Sequence, residues 1–251
     1  MERLKVVSYG GGVNSTAMTI HLIRSGNVPD LVLFCDTGAE MPQTLAYIAY
    51  FSNYLKQSVG REIVITRKTD NNGNPVGLYD YCMERRTIPS IVKRWCTDKF
   101  KLKPFDDYLA QFSGQKEVSL GFDAGEDGRV AGALQRCPRN DQIKTFPLHE
   151  ADIDRKGCLK IIRSEGLRVP PKSGCFICPF AKLSMYKAMK LRHPELFLRA
   201  VELERNNRHN QTIKQGYSLV DLDKQQELDF CSTVKFNDEY DIAKPCGCYD
   251  G

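Results

Sequence analysis

The sequence predicts an α/β fold, a parallel five-stranded sheet flanked by helices and followed by a helical C-terminal extension. Two observations predict it. Short apolar strands alternate with amphipathic helices in a βαβαβ order through the N-terminal part of the 251-residue chain. Polar and small residues follow strands one, two and four, as expected where parallel strands end at a ligand-binding edge.

Each element follows from its local pattern. Buried strands are predicted where β-branched and aromatic apolar residues run together, at 4–8, 31–35, 62–66, 117–121 and 143–146. Helices are predicted from apolar periodicity at 15–24, 43–55, 97–112, 154–165, 182–191 and 194–206. Gly26 follows the first helix as a C-terminal signal, and Pro104 marks a second start inside the third. Residues 1–168 are expected to form the α/β domain and 169–251 a cysteine-containing helical region packed on it.

Composition narrows the class of protein. With 41% hydrophobic and 27% charged residues, the chain is typical of a soluble globular protein. No apolar run is long enough for a membrane helix, and the N-terminus lacks a signal-peptide pattern, so a cytoplasmic location is expected. The net charge of +5 suits an anionic substrate or a nucleic acid, although solvated helix faces explain each basic cluster equally well.

The most informative motif is a glycine-rich loop between the first strand and the first helix. Residues 6–16 read Val-Val-Ser-Tyr-Gly-Gly-Gly-Val-Asn-Ser-Thr. Glycines let the backbone approach a phosphate, and the following helix N-terminus points N–H groups at it. No lysine stands at the Walker A position, so the loop is not a P-loop of that class. A glycine-rich turn without a ligand is the alternative.

Two further loops are expected at the same sheet edge. One follows strand two and contains Asp36, Thr37, Gly38 and Glu40; the other follows strand four at 123–126. In open α/β sheets, ligands bind beyond the carboxyl ends of the strands. The convergence of three such loops therefore favours a binding site over a chance glycine run.

Four segments together resemble the phosphoadenosine phosphosulfate (PAPS) reductase-like branch of the PP-loop superfamily. They are residues 8–16; Asp36-Thr37-Gly38 with Glu40, Pro42 and Thr44; Arg94-Trp95-Cys96 with Lys101 and Pro104; and 174–179, which read Gly-Cys-Phe-Ile-Cys-Pro. The segments occur in the family's order. The resemblance implies the adenine nucleotide α-hydrolase fold and an enzyme acting at the α-phosphate of an adenine nucleotide.

The resemblance also implies roles for individual residues. Nucleotide binding falls on the glycine loop and the loop after strand two, with Mg²⁺ held beside the phosphates. These residues are Ser8, Gly10, Gly11, Gly12, Asn14, Ser15, Asp36, Thr37 and Gly38. Candidate catalytic residues are Asp36, Glu126, Arg129 and Cys248. For Asp36 a turn cap is as good an interpretation as a metal contact, and for Glu126 and Arg129 a surface ion pair is the alternative.

Two positions depart from the family's pattern. The acidic residue usual in the SGGxDS-type loop is Asn14 here, which removes a Mg²⁺ ligand and favours Asp36 in its place. Relatives often carry a basic residue after the glycine of strand four, whereas this chain has Asp123. An anion-binding role at position 123 is therefore not expected.

Cysteines form the second strong signal. The chain has ten, and in a reducing compartment clustered cysteines point to metal or redox chemistry. Adenylyl-sulfate reductases, which the chain resembles, hold a 4Fe–4S cluster with a Cys-Cys pair upstream of a C-x-x-C. Here the pair is broken, because Trp95 precedes Cys96, and the expected ligands are Cys96, Cys175 and Cys178. Zn²⁺ with a fourth cysteine from Cys137, Cys246 or Cys248, and no metal at all, are the alternatives.

The expected activity is ATP cleavage at the α-phosphate, with pyrophosphate release, adenylation of an acceptor and sulfur transfer to it. Three glycines favour ATP over a sulfonucleotide, since a pyrophosphate must be cradled. The acceptor is expected to be a nucleic acid or a small molecule, and the sulfur donor sulfide or a thioredoxin-like partner. Nucleic-acid phosphates are expected at Lys182, Lys187, Lys190 and Arg192. A PAPS or adenylyl-sulfate reductase with a tail cysteine nucleophile, and a zinc-stabilised nucleotide-binding regulator, are the alternatives.

Overall fold

The computed structural model describes residues 3–135 and 140–224. Its centre is one parallel sheet of five strands in the order β3-β2-β1-β4-β5, which confirms the predicted fold class. The strands are β1 (Leu4–Ser8), β2 (Leu31–Cys35), β3 (Ile63–Thr66), β4 (Lys116–Leu120) and β5 (Gln142–Thr145). Each lies within one residue of its predicted bounds.

Both faces of the sheet are buried, as the continuous apolar strands require. Alternate residues point to opposite sides, so Val7 and Phe34 belong to one apolar cluster while Val6 and Leu33 belong to another. The first cluster is closed by the helices that follow β1 and β2, and the second by the helices that flank β4. In register, Val7 lies between Val32 and Ser119 at the centre of the sheet.

The sheet is surrounded by helices, several of them short. They are α1 (Val13–Arg24), α2 (Pro42–Val59), α3 (Leu78–Arg85), α4 (Trp95–Thr97), α5 (Lys103–Leu109), α6 (Asp127–Gln135), α7 (Pro147–Glu150), α8 (Arg155–Ser164), α9 (Leu183–Arg192), α10 (Pro194–Asn206) and α11 (Leu219–Lys224). A π turn, Asp98–Leu102, joins α4 to α5. None of the helices in the described ranges is both long and apolar enough to cross a membrane.

Most helix bounds follow local signals, and the structure differs from the predicted helices at the segment 97–112 and at α3 and α6. Pro42 opens α2 and Gly60, with φ 66°, ends it. The helix predicted at 97–112 is instead interrupted by the π turn, because Pro104 has no N–H to donate and α5 starts again around it. Helices α3 and α6 were not predicted, since both are short and carry several polar residues.

A third apolar cluster lies apart from the sheet. It joins α3 and Phe100 to α9, α10 and α11, and it includes Phe176 and Ile177 between the paired cysteines. Ala39 and Met41, from the loop after β2, also belong to it. The C-terminal helices therefore pack on the loops at one end of the sheet. The domain boundary at residue 168 stays a prediction.

Candidate functional site

The strand order fixes where a site can form. The chain runs outward from β1 to β2 and β3, then returns to place β4 on the other side of β1. The loops after β1 and β4 therefore diverge at a topological switch point, which opens a crevice at the carboxyl ends of these strands. The glycine loop and the 123–126 loop both lie at this point.

The glycine loop is shaped by close approach to its neighbours. Gly11 has φ 70°, and a Cβ built there would lie 3.2 Å from Cγ2 of Thr44 in α2. Gly12 caps α1, where its N–H donates to Ser15 Oγ at 3.3 Å and its carbonyl accepts from the same hydroxyl at 3.1 Å. Ser15 thus holds the loop at the helix start, whose first N–H groups have no partner inside the helix.

Asn14 is the centre of a buried polar network. Its Nδ2 donates to Asp123 Oδ2 at 3.0 Å and to Glu126 Oε2 at 2.9 Å, while its Oδ1 accepts from Arg155 Nη1 at 2.5 Å. Asn14, Asp123 and Glu126 are each less than 10% exposed. One amide therefore separates two buried carboxylates and links them to an arginine.

The loop after β4 completes this network. Glu126 also accepts from the N–H of Asp123 at 3.0 Å and pairs with Arg129 through its other oxygen. The Arg129 guanidinium lies 4.2 Å from the centroid of the Phe122 ring. Glu126 and Arg129 are thus an ion pair, as the alternative interpretation expected, but Glu126 is buried in the crevice and Arg129 is only 18% exposed.

Gly121 allows the two loops to meet. A Cβ at this position would lie 2.9 Å from the backbone N of Ser15 and 3.0 Å from its Cα. Real Cβ atoms are excluded at such distances from backbone atoms, so only glycine lets β4 end against the first turn of α1. The contact brings Asp123 within reach of Asn14.

Asp36, at the end of β2, is held in place on both of its oxygens. Oδ1 accepts from the N–H of Gly38 at 2.7 Å, and Oδ2 accepts from Arg67 Nε at 2.8 Å. The turn-cap interpretation of Asp36 is therefore observed, together with an ion pair to Arg67. Gly38, with φ 71°, packs against Gly77, since a Cβ there would lie 3.0 Å from the Gly77 Cα.

The same loop carries the paired cysteines to the crevice. Glu40 and Cys175 form an antiparallel bridge, flanked by bonds from Met41 N to Gly174 O at 3.0 Å and from Phe176 N to Ala39 O at 2.9 Å. Glu40 Oε1 accepts from Thr37 Oγ1 at 3.0 Å. Two backbone hydrogen bonds, which together make this bridge, thus tie the start of the C-x-x-C segment to the loop after β2.

The glycine loop touches the same segment. A Cβ at Gly12 would lie 3.0 Å from Ser173 Oγ, two residues before Cys175. The structure therefore brings together the glycine loop, the loop after β2 and the cysteine segment, although they are far apart in the sequence.

The thiols of Cys175 and Cys178 are hydrogen-bonded to each other in a buried site. The bond from Cys175 lowers the pKa of Cys178 to about 7, against the effect of burial. The bond and burial raise the pKa of Cys175 well above its usual value. Burial and the nearby Cys178 charge also raise the pKa of Cys96, so the three thiols share one electrostatic environment in which Cys178 ionises first.

These thiols are soft ligands of the kind that iron–sulfur clusters and Zn²⁺ prefer. Within 3–135 and 140–224, however, no three His, Cys, Asp or Glu side chains are arranged so that they could hold a metal ion. The donor chemistry of the three thiols fits a metal, but their arrangement in the described residues does not form a three-ligand site. The ligand set of Cys96, Cys175 and Cys178 stays a prediction.

The other predicted site residues are distributed as follows. Ser8 is buried at the end of β1, beside Leu33 and Leu120. Gly10, two residues after Ser8, has space beside its α-carbon. A Cβ built there would have Ser15 Oγ as its nearest neighbour, at 3.9 Å. Lys190 donates to the carbonyls of Leu222 and Asp223, so its ammonium is engaged within the fold. Cys248, Cys246 and Cys137 lie outside the described residues.

Sequence reasoning missed several residues of the site. Arg155 and Arg67 bond Asn14 and Asp36, but isolated arginines carry no local signal of such contacts. Gly121 does carry one, because a glycine directly after a buried strand often marks close approach of another backbone. Cys82 was also passed over; burial and then the Cys96 charge raise its pKa to about 12.

Comparisons with known proteins found one family model and several similar proteins. The model of the phosphoadenosine phosphosulfate reductase domain matches residues 5–118. An uncharacterized protein of Methanocaldococcus jannaschii is 24% identical over 211 residues, which cover 78% of this chain and 46% of the relative. The chain thus spans about half the length of that relative.

Two further similarities were found. An uncharacterized 37.8 kDa protein of Escherichia phage 186 is 24% identical over 250 residues. The alignment covers 80% of this chain and 75% of the phage protein. Among solved structures, the U34-tRNA thiolase NcsA from Methanococcus maripaludis with its 4Fe–4S cluster aligns with a TM-score of 0.44 and 15% identity. That alignment covers 94% of this chain and 82% of NcsA.

The matched residues run from β1 into β4 and contain the glycine loop, Asp36, the loop after β2 and Cys96. Residues 5–118, a little under half of the chain, therefore match the phosphoadenosine phosphosulfate reductase domain, a domain of the PP-loop superfamily.

Proposed function

We propose that the protein binds ATP at the glycine loop, adenylates an oxygen of an acceptor and supports transfer of sulfur to that acceptor. In the first step the acceptor oxygen attacks the α-phosphorus and pyrophosphate leaves with the electrons of the broken P–O bond. In the second a sulfur nucleophile attacks the activated carbon, and AMP leaves with the C–O electrons. The family match supports a nucleotide and sulfur chemistry of this general kind.

One observation carries the proposal, namely the backbone bridge between Glu40 and Cys175. It sets a hydrogen-bonded thiol pair beside the two loops that would hold the nucleotide. A thiol whose pKa is about 7 is a suitable sulfur nucleophile at neutral pH, which supports sulfur chemistry at that place. The contact between Gly12 and Ser173 supports the same arrangement from the other side of the crevice.

The roles of the chain's own residues follow from their contacts. The N–H groups of the glycine loop and the start of α1 would bind the pyrophosphate oxygens, in the position fixed by Ser15. Arg155 and Arg129 supply positive charge at the crevice, held by Asn14 and Glu126. The carboxylates of Asp36, Asp123 and Glu126 already accept protein hydrogen bonds, so phosphate oxygens would supply most of the ligands for Mg²⁺.

Replacing Gly10 by alanine tests the nucleotide step. The nearest atom to the new Cβ lies 3.9 Å away, so the fold has room for it and the free energy of unfolding should change little. A phosphate lying against the loop backbone would not have that room. We expect Gly10→Ala to weaken ATP binding at least about tenfold, or about 1.4 kcal/mol, as measured by calorimetric titration.

Gly132→Ala is the matched control, since a Cβ there meets nothing within 4 Å and the site lies elsewhere. Inorganic pyrophosphate should compete with ATP, and incubation with Mg²⁺ and acceptor should release pyrophosphate rather than phosphate. Preferential binding of adenylyl sulfate or PAPS, with no competition by pyrophosphate, would contradict the proposal and favour the reductase alternative.

The thiol pair gives a pH prediction. In reduced, metal-free protein the Cys178 thiol should ionise as the pH rises through about 7, before the thiol of Cys175 does. Cys175→Ala removes the hydrogen bond that stabilises the thiolate, and burial then opposes ionisation. The ultraviolet thiolate absorbance should therefore move to higher pH in Cys175→Ala. An unchanged titration midpoint would show that Cys175 does not set the acidity of Cys178.

A further inference from the structure

A basic–aromatic surface lies next to the cysteines and has no role in the chemistry described so far. It consists of the side chains of Tyr81, Arg85, Arg86, Lys93, Trp95, Lys99 and Arg208. All five cationic side chains are on exposed residues. Exposed carboxylates at Glu84 and Asp98 offset only part of this charge.

Direct contacts join six of the seven residues, and Lys93 lies two positions before Trp95 in the sequence. Arg208 donates from its backbone N to Arg86 O at 3.1 Å and from Nη2 to Arg85 O at 3.0 Å. The Arg85 guanidinium lies 5.5 Å from the centroid of the Tyr81 ring, one helical turn earlier on α3. Lys99 Nζ lies 5.2 Å from the same ring and donates to the Tyr81 hydroxyl at 2.8 Å.

The surface leads to the thiols. The Tyr81 and Trp95 rings lie 5.6 Å apart, and Trp95 directly precedes Cys96. The residue before Trp95 is Arg94, whose guanidinium lies 5.3 Å from the ring centroid of Phe180, two residues after Cys178. A partner lying on the surface would therefore end beside the C-x-x-C segment.

The mixture of groups identifies the partner. Guanidinium and ammonium groups attract phosphates, while the exposed parts of the half-buried Tyr81 and Trp95 rings and the 90% exposed Val92 add apolar surface. An acidic polypeptide would use the charges but not the rings. A single-stranded polynucleotide uses both, since its phosphates repeat along one side and its unpaired bases stack.

We propose that the basic–aromatic surface binds a single-stranded polynucleotide and leads one of its bases to the cysteine segment. The inference rests on the proposed function, because it names the acceptor class for the sulfur step. RNA and DNA share the chemistry that the surface recognises, and separate binding experiments with each distinguish them.

Trp95 provides the direct probe, because it is the only tryptophan of the sequence. We would titrate the full chain, without nucleotide, with a mixed-sequence RNA 20-mer and the matching DNA, following tryptophan fluorescence and the anisotropy of a label. Binding with quenching of Trp95 is expected for at least one of them. The Arg85→Ala/Lys93→Ala variant should weaken that binding tenfold or more and lower the salt slope by about 1.4, the value for two single-strand phosphate contacts.

Arg86 is left unchanged in this variant because its backbone lies in the left-handed region, with φ 49°, where a substitution could alter the backbone as well as the charge. Lys160→Ala/Arg163→Ala, which removes two exposed cations of α8, is the matched control and should bind as the native chain does. An equal loss in both variants, binding without quenching, or quenching by polyglutamate and not by either polynucleotide would overturn the proposal. Since no nucleotide is present, failure here leaves the ATP-binding test unaffected.

Discussion

The Asn14→Asp variant is expected to have a free energy of unfolding about 4 kcal/mol lower than that of the native chain at neutral pH. Asn14 Nδ2 donates to both Asp123 and Glu126, and all three residues are buried. An aspartate removes that donor and adds a third carboxylate to the pair. Denaturant unfolding followed by circular dichroism would measure the difference.

A second substitution makes this prediction specific. In Asn14→Asp/Asp123→Asn the amide and the carboxylate exchange places, so the number of charges and one donor are restored. We expect the double variant to recover about half of the loss, as coupling between contacting residues allows. Asn53→Asp, on the exposed face of α2, is the control for the charge alone and should lie within about 0.5 kcal/mol of the native chain. Additive losses in the double variant would argue against the network.

Gly121→Ala should lower the free energy of unfolding by about 3 kcal/mol and weaken ATP binding at least about tenfold. The added methyl group would meet backbone atoms, which cannot move aside as a flexible side chain can. Its Cβ would lie 2.9 Å from the Ser15 N. Relief requires β4 and the first turn of α1 to separate, which displaces the glycine loop. Thermal unfolding and ATP titration on the same preparation would show both effects.

Gly128→Ala is the matched control for Gly121→Ala. Gly128 lies in α6, and a Cβ there meets nothing within 4 Å. Alanine favours helix over glycine, so this variant should equal or exceed the native stability by up to about 1 kcal/mol. If Gly121→Ala behaved like Gly128→Ala, the close packing of the two loops would be refuted.

The sheet could be predicted almost to the residue because its signals are local. A short, fully apolar run such as Leu31–Cys35 favours a central strand, and Pro42 and Gly60 bound the helix that follows. Helices α3 and α6 escaped prediction because they are short and are stabilised by what they pack against. For α3 that is the third apolar cluster, which includes α10 and Phe176.

The site was predicted in its parts but not in its connections. Asn14 and Asp123 each departed from the family's pattern, and in the sequence they were separate observations. In the structure their side chains are hydrogen-bonded to each other, so the two departures are linked. Where relatives carry an acidic residue and a basic one, this chain pairs the amide of Asn14 with the carboxylate of Asp123. Pairings over such a distance, like those of Arg155 or Glu40, are set by the tertiary fold and leave no trace in spacing.

The bridge between Glu40 and Cys175 has a mechanical consequence. Two backbone hydrogen bonds join residues 39–41 to residues 174–176, so the two segments move together. An anion that orders the loop after β2 must also order the thiol segment, and the free energy of that coupling acts equally in both directions. Binding of an anion in the crevice should therefore increase the protection of the cysteine-segment amides from hydrogen exchange. Conversely, ordering of the cysteine segment should increase the affinity of the crevice for the anion.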